Sequence, residues 1–591
     1  MSGIKLHISR VRDQMHVFSR GAAGAAFLIL LVILTACAPE KTEPAPTSYP
    51  DLQNKTITGV VKDENGSLAG ATVRVQTSDR FTTTGGDGRF SLEVDDLGEG
   101  PFNLTAWAPG YFCGGPVEAS AGQDGVEFLL YAHADVDNPE YAWLPSQYHP
   151  GEGEDQGCSE CHSSEGTNLE YTLPVDEWLQ DAHSGSAANP RFGSMYTGTD
   201  LRGNQSPATR HGYSRDYGSF PLRPDPNEAY YGPGYKLDFP DTDGNCAACH
   251  TPAASVNDPY GIDPTAVKGV ASEGVPCDFC HKVWDVNINT ASGRPYPNMP
   301  GVLSFEFLRP PEGHQFFAGP YDDVAPGEDT YSPLQTQSQF CAPCHFGVFW
   351  DTVIYNSFGE WLESPYSDPE TGKTCQDCHM PPLGVSYFAR PDQGGLGRDP
   401  ETIFSHRMPG AADEELLQNA LSMRVEANKG DESLVVQVSI TNDNTGHHVP
   451  TDSPLRHLIL LVRVLDENGE ALELKDGPVV PDWGGVGSPE RGYYAGLPGK
   501  AFAKVLEELW TEVSPSGAYW NPTRVLSDNR IAAFATDTST YTFAAPQSGT
   551  TTIDVRLLFR RAFKELMDQK GWEAPDIVML QQTVTVNEGD D

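Results

Sequence analysis

One short pattern occurs five times in this chain: two cysteines separated by two residues, with a histidine directly after the second cysteine. The 591-residue sequence contains 12 cysteines, and the pattern uses ten of them. The copies, here motifs 1 to 5, are Cys158, Cys161 and His162; Cys246, Cys249 and His250; Cys277, Cys280 and His281; Cys341, Cys344 and His345; and Cys375, Cys378 and His379. Because the five copies lie between residues 158 and 379, the fold of the middle of the chain must bring these cysteines and histidines to whatever group they bind.

The spacing within each motif is that of covalent haem c attachment. Two thiols must reach the two vinyl groups on one edge of a porphyrin, and the next residue must offer an imidazole nitrogen to the iron. Two intervening residues allow the tight helical turn that brings these groups together. Zinc sites and redox-active cysteine pairs are the alternatives, but neither requires a histidine after every pair. The sequence therefore predicts five covalently attached haem c groups. The short intervals from Cys246 to Cys277 and from Cys341 to Cys375 predict two closely packed haem pairs.

The first residues of the chain have the features of an export signal. A basic stretch precedes an apolar run from Ala22 to Leu34, which is short for a membrane span. The segment LTAC, ending at Cys37, resembles the lipobox of bacterial lipoproteins, which implies cleavage before Cys37 and acylation of its sulfur and amine. We therefore predict a signal peptide over residues 1–36, a proline-rich tether over 37–54, and a membrane-anchored lipoprotein on the extracytoplasmic side, in the periplasm or at the cell surface. An uncleaved anchor helix is the alternative.

The formal net charge of the chain is −43 at pH 7. Removing the basic leader would make the remainder more acidic still. This charge argues against binding to nucleic acid or to anionic lipid surfaces. It suits either a basic partner protein or simple solubility.

Residues 55–132 carry no motif and alternate between strand-like runs and turn signals. The order GVVKDENGSLAGATVRV, TTTGGDGRFSLEV and LTAWAPGY resembles the carboxypeptidase regulatory-like domain, which implies a transthyretin-like β-sandwich without a catalytic role. Cys113 lies in this segment, outside the motifs. We expect it to be a small buried residue, with a reactive thiol or an intermolecular disulfide as the alternatives.

Two further domains are predicted, which makes the fold class multidomain. Residues 133–415 hold all five motifs and have little periodicity, which predicts a loop-rich, mainly α or irregular multihaem domain whose haems replace an apolar core. Residues 416–591 return to alternating strand patterns, with apolar residues from Leu434 to Ile440 on one face. This pattern predicts a C-terminal β-sandwich with helical insertions at 504–510 and 561–570.

Each haem iron also has a sixth coordination position, and a second histidine there closes the iron to other molecules. Three segments, EWLQDAHSGSA, SHRMPGA and TGHHVPTDSPLR, resemble ligand segments of bacterial multihaem c-type cytochromes. The last departs from the usual pattern at Asp452, where glycine is usual. The resemblance implies that His183, His406 and His447 are distal iron ligands.

Other residues complete the predicted ligand set. His314 and His211 are the remaining candidates for distal ligands, with His448 and His149 as reserves. We expect His133 and His457 to be structural. Met195 and Met408 are more typical of packing than of thioether ligation.

The resemblance implies an electron-transfer relay through mostly bis-histidine haems, with redox donor and acceptor proteins as partners and no catalytic residue. The alternative is a multihaem reductase or oxidase of a small nitrogen or sulfur compound, with one open haem. A cytochrome subunit that polymerises into filaments is the third possibility.

Overall fold

The structure is a computed structural model that describes residues 55–98, 100–149, 157–216, 218–544 and 549–587. The predicted signal peptide, Cys37 and the tether lie outside these residues. The described part is rich in β-strands and has few helices, which confirms that aspect of the predicted fold class. No helix in it combines the length and the apolar character that a membrane crossing requires.

Seven strands near the N-terminus form two sheets around a common core. They are β1 (Thr56–Lys62), β2 (Thr72–Val75), β3 (Phe81–Thr83), β4 (Arg89–Glu93), β5 (Phe102–Trp107), β6 (Gly114–Ala119) and β7 (Val126–Leu129). The sheet orders are β4-β1-β7 and β3-β2-β5-β6. Alternate residues of the strands face inward, so Ile57, Val73, Leu92 and Leu104 share one apolar core.

The middle region consists of short helices, strand pairs and loops. Its helices are α1 (Ser159–His162), α2 (Pro174–Trp178), α3 (Pro190–Thr197), α4 (Tyr235–Asp238), α5 (Ala247–His250), α6 (Pro252–Ser255), α7 (Cys277–Lys282), α8 (Ser357–Leu362) and α9 (Cys375–His379). Short 3₁₀ helices lie at Gly269–Glu273, Gly301–Ser304, Pro333–Thr336, Ser338–Phe340, Pro365–Ser367, Pro391–Gln393 and Pro400–Thr402.

Ten short strands of this region associate only in pairs within the described residues. They are β8 (His211–Ser214), β9 (Gly218–Pro221), β10 (Val283–Val286), β11 (Ile288–Asn289), β12 (Arg294–Pro295), β13 (Phe305–Phe307), β14 (Phe317–Gly319), β15 (Asp329–Tyr331), β16 (Gly347–Phe349) and β17 (Thr352–Tyr355). The pairs are β8-β9, β10-β13, β11-β12, β14-β15 and β16-β17. Buried apolar clusters in this region are small. This agrees with the prediction that the region lacks a large apolar core of its own.

The C-terminal region returns to large sheets. Its elements are α10 (Glu414–Gln418), β18 (Ser422–Lys429), β19 (Ser433–Thr441), β20 (His457–Leu465), β21 (Leu474–Asp476), β22 (Gly499–Glu508), β23 (Thr523–Asp528), β24 (Thr536–Ala544), β25 (Thr551–Arg560), α11 (Lys564–Lys570) and β26 (Ile577–Val586), with 3₁₀ helices at Asp482–Gly484 and Pro489–Arg491. The sheet orders are β18-β19-β24-β21 and β23-β22-β20-β25-β26. The predicted inward face from Leu434 to Ile440 is confirmed, because its four alternate apolar residues are buried in a core shared by both sheets.

One predicted helical insertion is confirmed and the other is wrong. α11 lies within the predicted 561–570. Residues 504–508, by contrast, belong to β22, which pairs with β20 and β23. β22 is buried on both faces, with Phe502 in the sandwich core and Val505 in a second apolar cluster. A strand covered on both sides is continuously apolar instead of alternating, and a short run of that kind does not differ from a helix in its sequence pattern.

Candidate haem-binding site

Each motif forms one helical turn whose geometry follows from its spacing. In motifs 1, 2 and 4 the backbone N–H of the histidine donates to the carbonyl of the first cysteine, at 2.9, 3.1 and 3.1 Å. Motifs 3 and 5 lie within α7 and α9. Residues three and four apart on a helical turn share a face. Every motif therefore directs two thiols and one imidazole to the same side.

One continuous cavity of about 1200 Å³ is lined by the cysteines and histidines of motifs 1 to 4, and by Gln376 and Asp377 between the two cysteines of motif 5. For comparison, a pocket for one small ligand measures roughly 300–1,000 Å³. Much of the remaining wall is aromatic, including Trp178, Phe192, Phe305 and Phe388. Thiols and imidazoles facing a large apolar space are a donor set that fits haem c.

The thiols of different motifs lie against one another. Hydrogen-bond contacts join motif 1 to motif 3, motif 2 to motif 4, and motif 4 to motif 5. The pairs are Cys158 with Cys277, Cys249 with Cys344, and Cys341 with Cys375. Motif 4 thus adjoins both motif 2 and motif 5.

Two of the cavity thiols are in surroundings that disfavour the thiolate form. Burial raises the pKa of Cys246 and of Cys280 to about 12, so both stay protonated near neutral pH. A metal needs the thiolate form. Among the described side chains, no group of three or more histidine, cysteine, aspartate or glutamate residues could hold a metal ion.

Three motif histidines are oriented by backbone carbonyls. In each, Nδ1 donates to a carbonyl oxygen, which leaves Nε2 bare for a metal. Burial also lowers the pKa of these imidazoles, in the case of His379 to about 4, so the rings are neutral near pH 7. The bonds run from His162 to Phe388 at 2.8 Å, from His281 to Ala318 at 2.8 Å, and from His379 to Pro409 at 2.7 Å.

Two motif histidines face a second imidazole. The ring centres of His345 and His183 are 6.2 Å apart, and those of His379 and His447 are 6.4 Å apart. A metal–imidazole bond is about 2 Å long, so two imidazoles on one metal have nitrogens about 4 Å apart and ring centres about 6 Å apart. Both pairs therefore have the separation that a shared iron requires.

The predicted distal histidines also have oriented rings. Nδ1 of His183 lies 2.6 Å from the Asp181 carboxylate, and Nδ1 of His447 lies 3.0 Å from the His448 carbonyl. His406 lines the cavity, and its Nδ1 lies 3.1 Å from the Phe404 carbonyl. After burial, the neighbouring His281 contributes most to lowering the pKa of His406. In all three residues Nε2 is the nitrogen left for iron.

The neighbouring His448 has a different environment. Its Nδ1 lies 3.0 Å from Glu360, which also binds Arg530 at 2.7 Å. Burial opposes ionisation of Glu360, but His448 and Arg530 together lower its pKa to about 2. His448 therefore belongs to a buried charge cluster, whereas His447 faces motif 5.

The remaining histidine candidates lie away from the motif histidines. His211 is exposed at the start of β8 and does not line the cavity. His314 is largely exposed, and its Nδ1 lies 2.8 Å from Glu328. Nε2 of His149 lies 2.6 Å from the buried Glu273. Ligation by His211 or His314 remains a prediction from the sequence.

Sequence reasoning missed the carboxylates behind one histidine pair. Asp181 contacts His183, and Asp452 lies 3.7 Å from Nδ1 of His345. Burial opposes ionisation of Asp452, but the facing His345 lowers its pKa to about 2, while Asp452 in turn raises the pKa of His345. The departure from glycine at 452 was the available signal, because Asp452 has a φ of 66°, in the left-handed region that favours glycine.

Motif 2 differs from the other motifs. The ring against His250 is that of Phe192, stacked at 3.8 Å, and Nδ1 of His250 is buried without a hydrogen-bond partner among the described residues. Burial lowers the pKa of His250 to about 4. Arg191, Arg456 and Arg561 line the same cavity.

The N-terminal sheets enclose an apolar core of their own. Residues 56–124 match the carboxypeptidase regulatory-like domain family. This match confirms that part of the sequence prediction. The carboxypeptidase regulatory-like domain occupies a small share of the chain, so the match assigns no function to the whole.

Solved structures show only weak likeness to the chain. A penta-heme cytochrome c552 from Thermochromatium tepidum aligns at 18% identity and a TM-score of 0.47, over 73% of this chain and 97% of its own. The human F-spondin reeler domain aligns at 11% identity and a TM-score of 0.13, over 29% of this chain and 88% of its own. A cohesin–dockerin complex from Acetivibrio cellulolyticus aligns at 17% identity and a TM-score of 0.12, over 13% of this chain and 58% of its own. No curated protein matches the sequence.

Proposed function

We propose that the chain is a pentahaem cytochrome c that relays electrons outside the cytoplasm. The observation that carries the proposal is the opening of motifs 1 to 4 onto one apolar cavity, together with the second imidazoles that face the histidines of motifs 4 and 5 at iron-sharing distance. Bound haem c supplies one-electron redox chemistry. A relay requires several such groups close together, and the thiol contacts between motifs bring their attachment points together.

The proposed roles of the residues follow from this arrangement. The ten motif cysteines form thioethers, and the five motif histidines are proximal ligands. His183, His406 and His447 are distal ligands, for the irons of motifs 4, 3 and 5 respectively. Backbone carbonyls and carboxylates at Nδ1 fix each ring, and the aromatic walls exclude water from the haem faces.

The proposal includes a membrane anchor. Its support is the sequence LTAC, which ends at Cys37, followed by the proline-rich tether over 37–54. Acyl chains on Cys37 would hold the chain on the extracytoplasmic side, in the periplasm or at the cell surface. The partners are a redox donor and a redox acceptor protein, and the strong acidity of the chain suits partners with basic docking faces.

One observation favours a second candidate function at motif 2. There Phe192, and not an imidazole, lies against His250, and no carboxylate forms an ion pair with Arg191 or Arg561 among the described residues. Burial lowers the pKa of both arginines, and Arg456 and Arg191 lower that of Arg561 further. Clustered, partly desolvated guanidinium groups attract anions. A reductase or oxidase of a small nitrogen or sulfur compound would use such a site.

Carbon monoxide binding to the reduced protein separates the two functions. The pure relay, in which His211 and His314 complete the set of distal ligands, predicts low-spin ferric signals for all haems in electron paramagnetic resonance and no spectral change with carbon monoxide. One high-spin haem that binds carbon monoxide would contradict the pure relay and support the second candidate. In that case nitrite or sulfite would shift the same haem spectrum, and Arg561→Gln would weaken this response by about tenfold or more, as expected for a lost charge-assisted hydrogen bond.

A further inference from the structure

We propose that the haem of motif 4 has the lowest reduction potential in the chain, because Asp181 and Asp452 hold both of its axial imidazoles. This inference rests on the proposed function, since it requires haem between His345 and His183. Asp181 and Asp452 are positioning residues that act on the iron through the two histidines.

Asp181 is a fixed partner of His183. Its Oδ2 lies 2.6 Å from Nδ1 of the ring, and its carboxylate also accepts the backbone N–H groups of Ala182 and His183, at 2.6 and 3.1 Å. The side chain is 2% exposed. A carboxylate that accepts from three donors keeps its place and its orientation.

Asp452 faces His345 on the proximal side at a longer distance. Its Oδ2 lies 3.7 Å from Nδ1, an ion-pair separation that is longer than a hydrogen bond. The other carboxylate oxygen, Oδ1, is buried without a hydrogen-bond partner among the described residues. Arg456 is 3.9 Å away. The Asp452 carboxylate therefore lies between the motif 4 imidazole and the Arg456 guanidinium.

The other oriented imidazoles provide the contrast. Nδ1 of His162, His281 and His379 meets a neutral backbone carbonyl, as does Nδ1 of His406 and His447. A carboxylate at Nδ1 makes the imidazole a stronger donor to its metal than a carbonyl does. Added electron density and nearby negative charge stabilise ferric over ferrous iron, which lowers the potential. Only the His345–His183 pair has a carboxylate on both sides among the described residues.

Motif 4 lies between other motifs, so a low potential of its haem would affect electron transfer between them. Thiol contacts place motif 4 beside both motif 2 and motif 5, and Cys280 of motif 3 is close enough to act on both of its thiols. Electrons moving between these motifs would cross the haem that is hardest to reduce. Motif 4 would then be the last site to fill and would separate the electrons stored on either side of it.

The test is a spectroelectrochemical titration of the haem-loaded protein and of Asp452→Asn and Asp181→Asn. Each variant removes one charge at nearly constant shape, and asparagine tolerates the φ of residue 452. We expect one haem of the wild-type protein to titrate below the other four. That component should shift to higher potential in each variant, and further in the double variant, while the other four stay in place. Asp452→Gly should give the same shift, because glycine keeps the backbone and removes the carboxylate.

Asp329→Asn is the matched control, since Asp329 lines the same cavity and contacts no axial imidazole. An unmoved lowest component in the aspartate variants would overturn the inference, as would an equal shift in the control. Haem content is measured on the same samples. Five haems per chain with no shift would contradict only the inference, whereas a chain without five haems would contradict the proposed function itself.

Discussion

At the scale of single residues, the adjacent pair His447 and His448 shows how the fold assigns different roles to like side chains. Neighbouring side chains of an extended segment point to opposite sides. His447 faces His379, and His448 faces Glu360 and Arg530. The sequence could predict that only one of them reaches a haem. The choice between them depends on the distant carboxylate at 360, which no local pattern indicates.

Replacing these two histidines separately tests the assignment. In His447→Ala, one haem of five should change from low spin to high spin in electron paramagnetic resonance, because its iron loses the second imidazole. In His448→Ala, all five should stay low spin, while the free energy of unfolding falls by about 1–3 kcal/mol because the buried Glu360 loses a partner. A high-spin haem in His448→Ala instead would reverse the assignment.

At the scale of elements, the carboxypeptidase regulatory-like domain contacts the strand pair β14–β15. Nε1 of Trp107 donates to the Thr330 hydroxyl at 3.0 Å, and that hydroxyl donates to the Tyr111 carbonyl at 2.8 Å. Thr330 pairs with Ala318 across the two strands. The Ala318 carbonyl is the one that accepts from Nδ1 of His281. The domain therefore supports the strand whose carbonyl orients His281 of motif 3.

Thr330→Val should weaken this support. The variant keeps the shape of the side chain but leaves the Trp107 N–H and the Tyr111 carbonyl without their partner, at a cost of about 1–3 kcal/mol in the free energy of unfolding. We also expect the motif 3 haem to change its spectrum or potential, while the motif 5 haem stays unchanged.

Thr105→Val is the matched control for this prediction. Thr105 lies in the same domain and is fully buried, but its hydroxyl has no hydrogen-bond partner in the described part of the chain. Its removal should be neutral or stabilising. Equal losses of stability in both variants would show that the Thr330 hydrogen bonds do not carry the contact between domain and haem region.

At the scale of the whole molecule, the sequence predicts the local turn of each motif but does not predict which motifs lie next to one another. The five turns, the N-terminal module and the inward faces of β19 and β20 follow from local patterns. The interval from Cys341 to Cys375 does bring two thiols together, but Cys277 contacts Cys158 and Cys249 contacts Cys344. Motifs 2 and 3, which the short interval between them predicts to be a pair, meet through Ala248 and Phe279 in one apolar cluster. Such contacts depend on how loops fold back, which sequence separation does not encode.

The most direct test of the proposed pentahaem relay is the number of haems covalently attached to one chain. The protein would be produced in a host that matures c-type cytochromes, and its intact mass would be measured together with its pyridine haemochrome spectrum. We predict a mass increase of five haem groups and a spectrum typical of two thioether bonds per haem. Fewer than five haems on the wild-type chain, or haem that organic solvent extracts, would contradict the account.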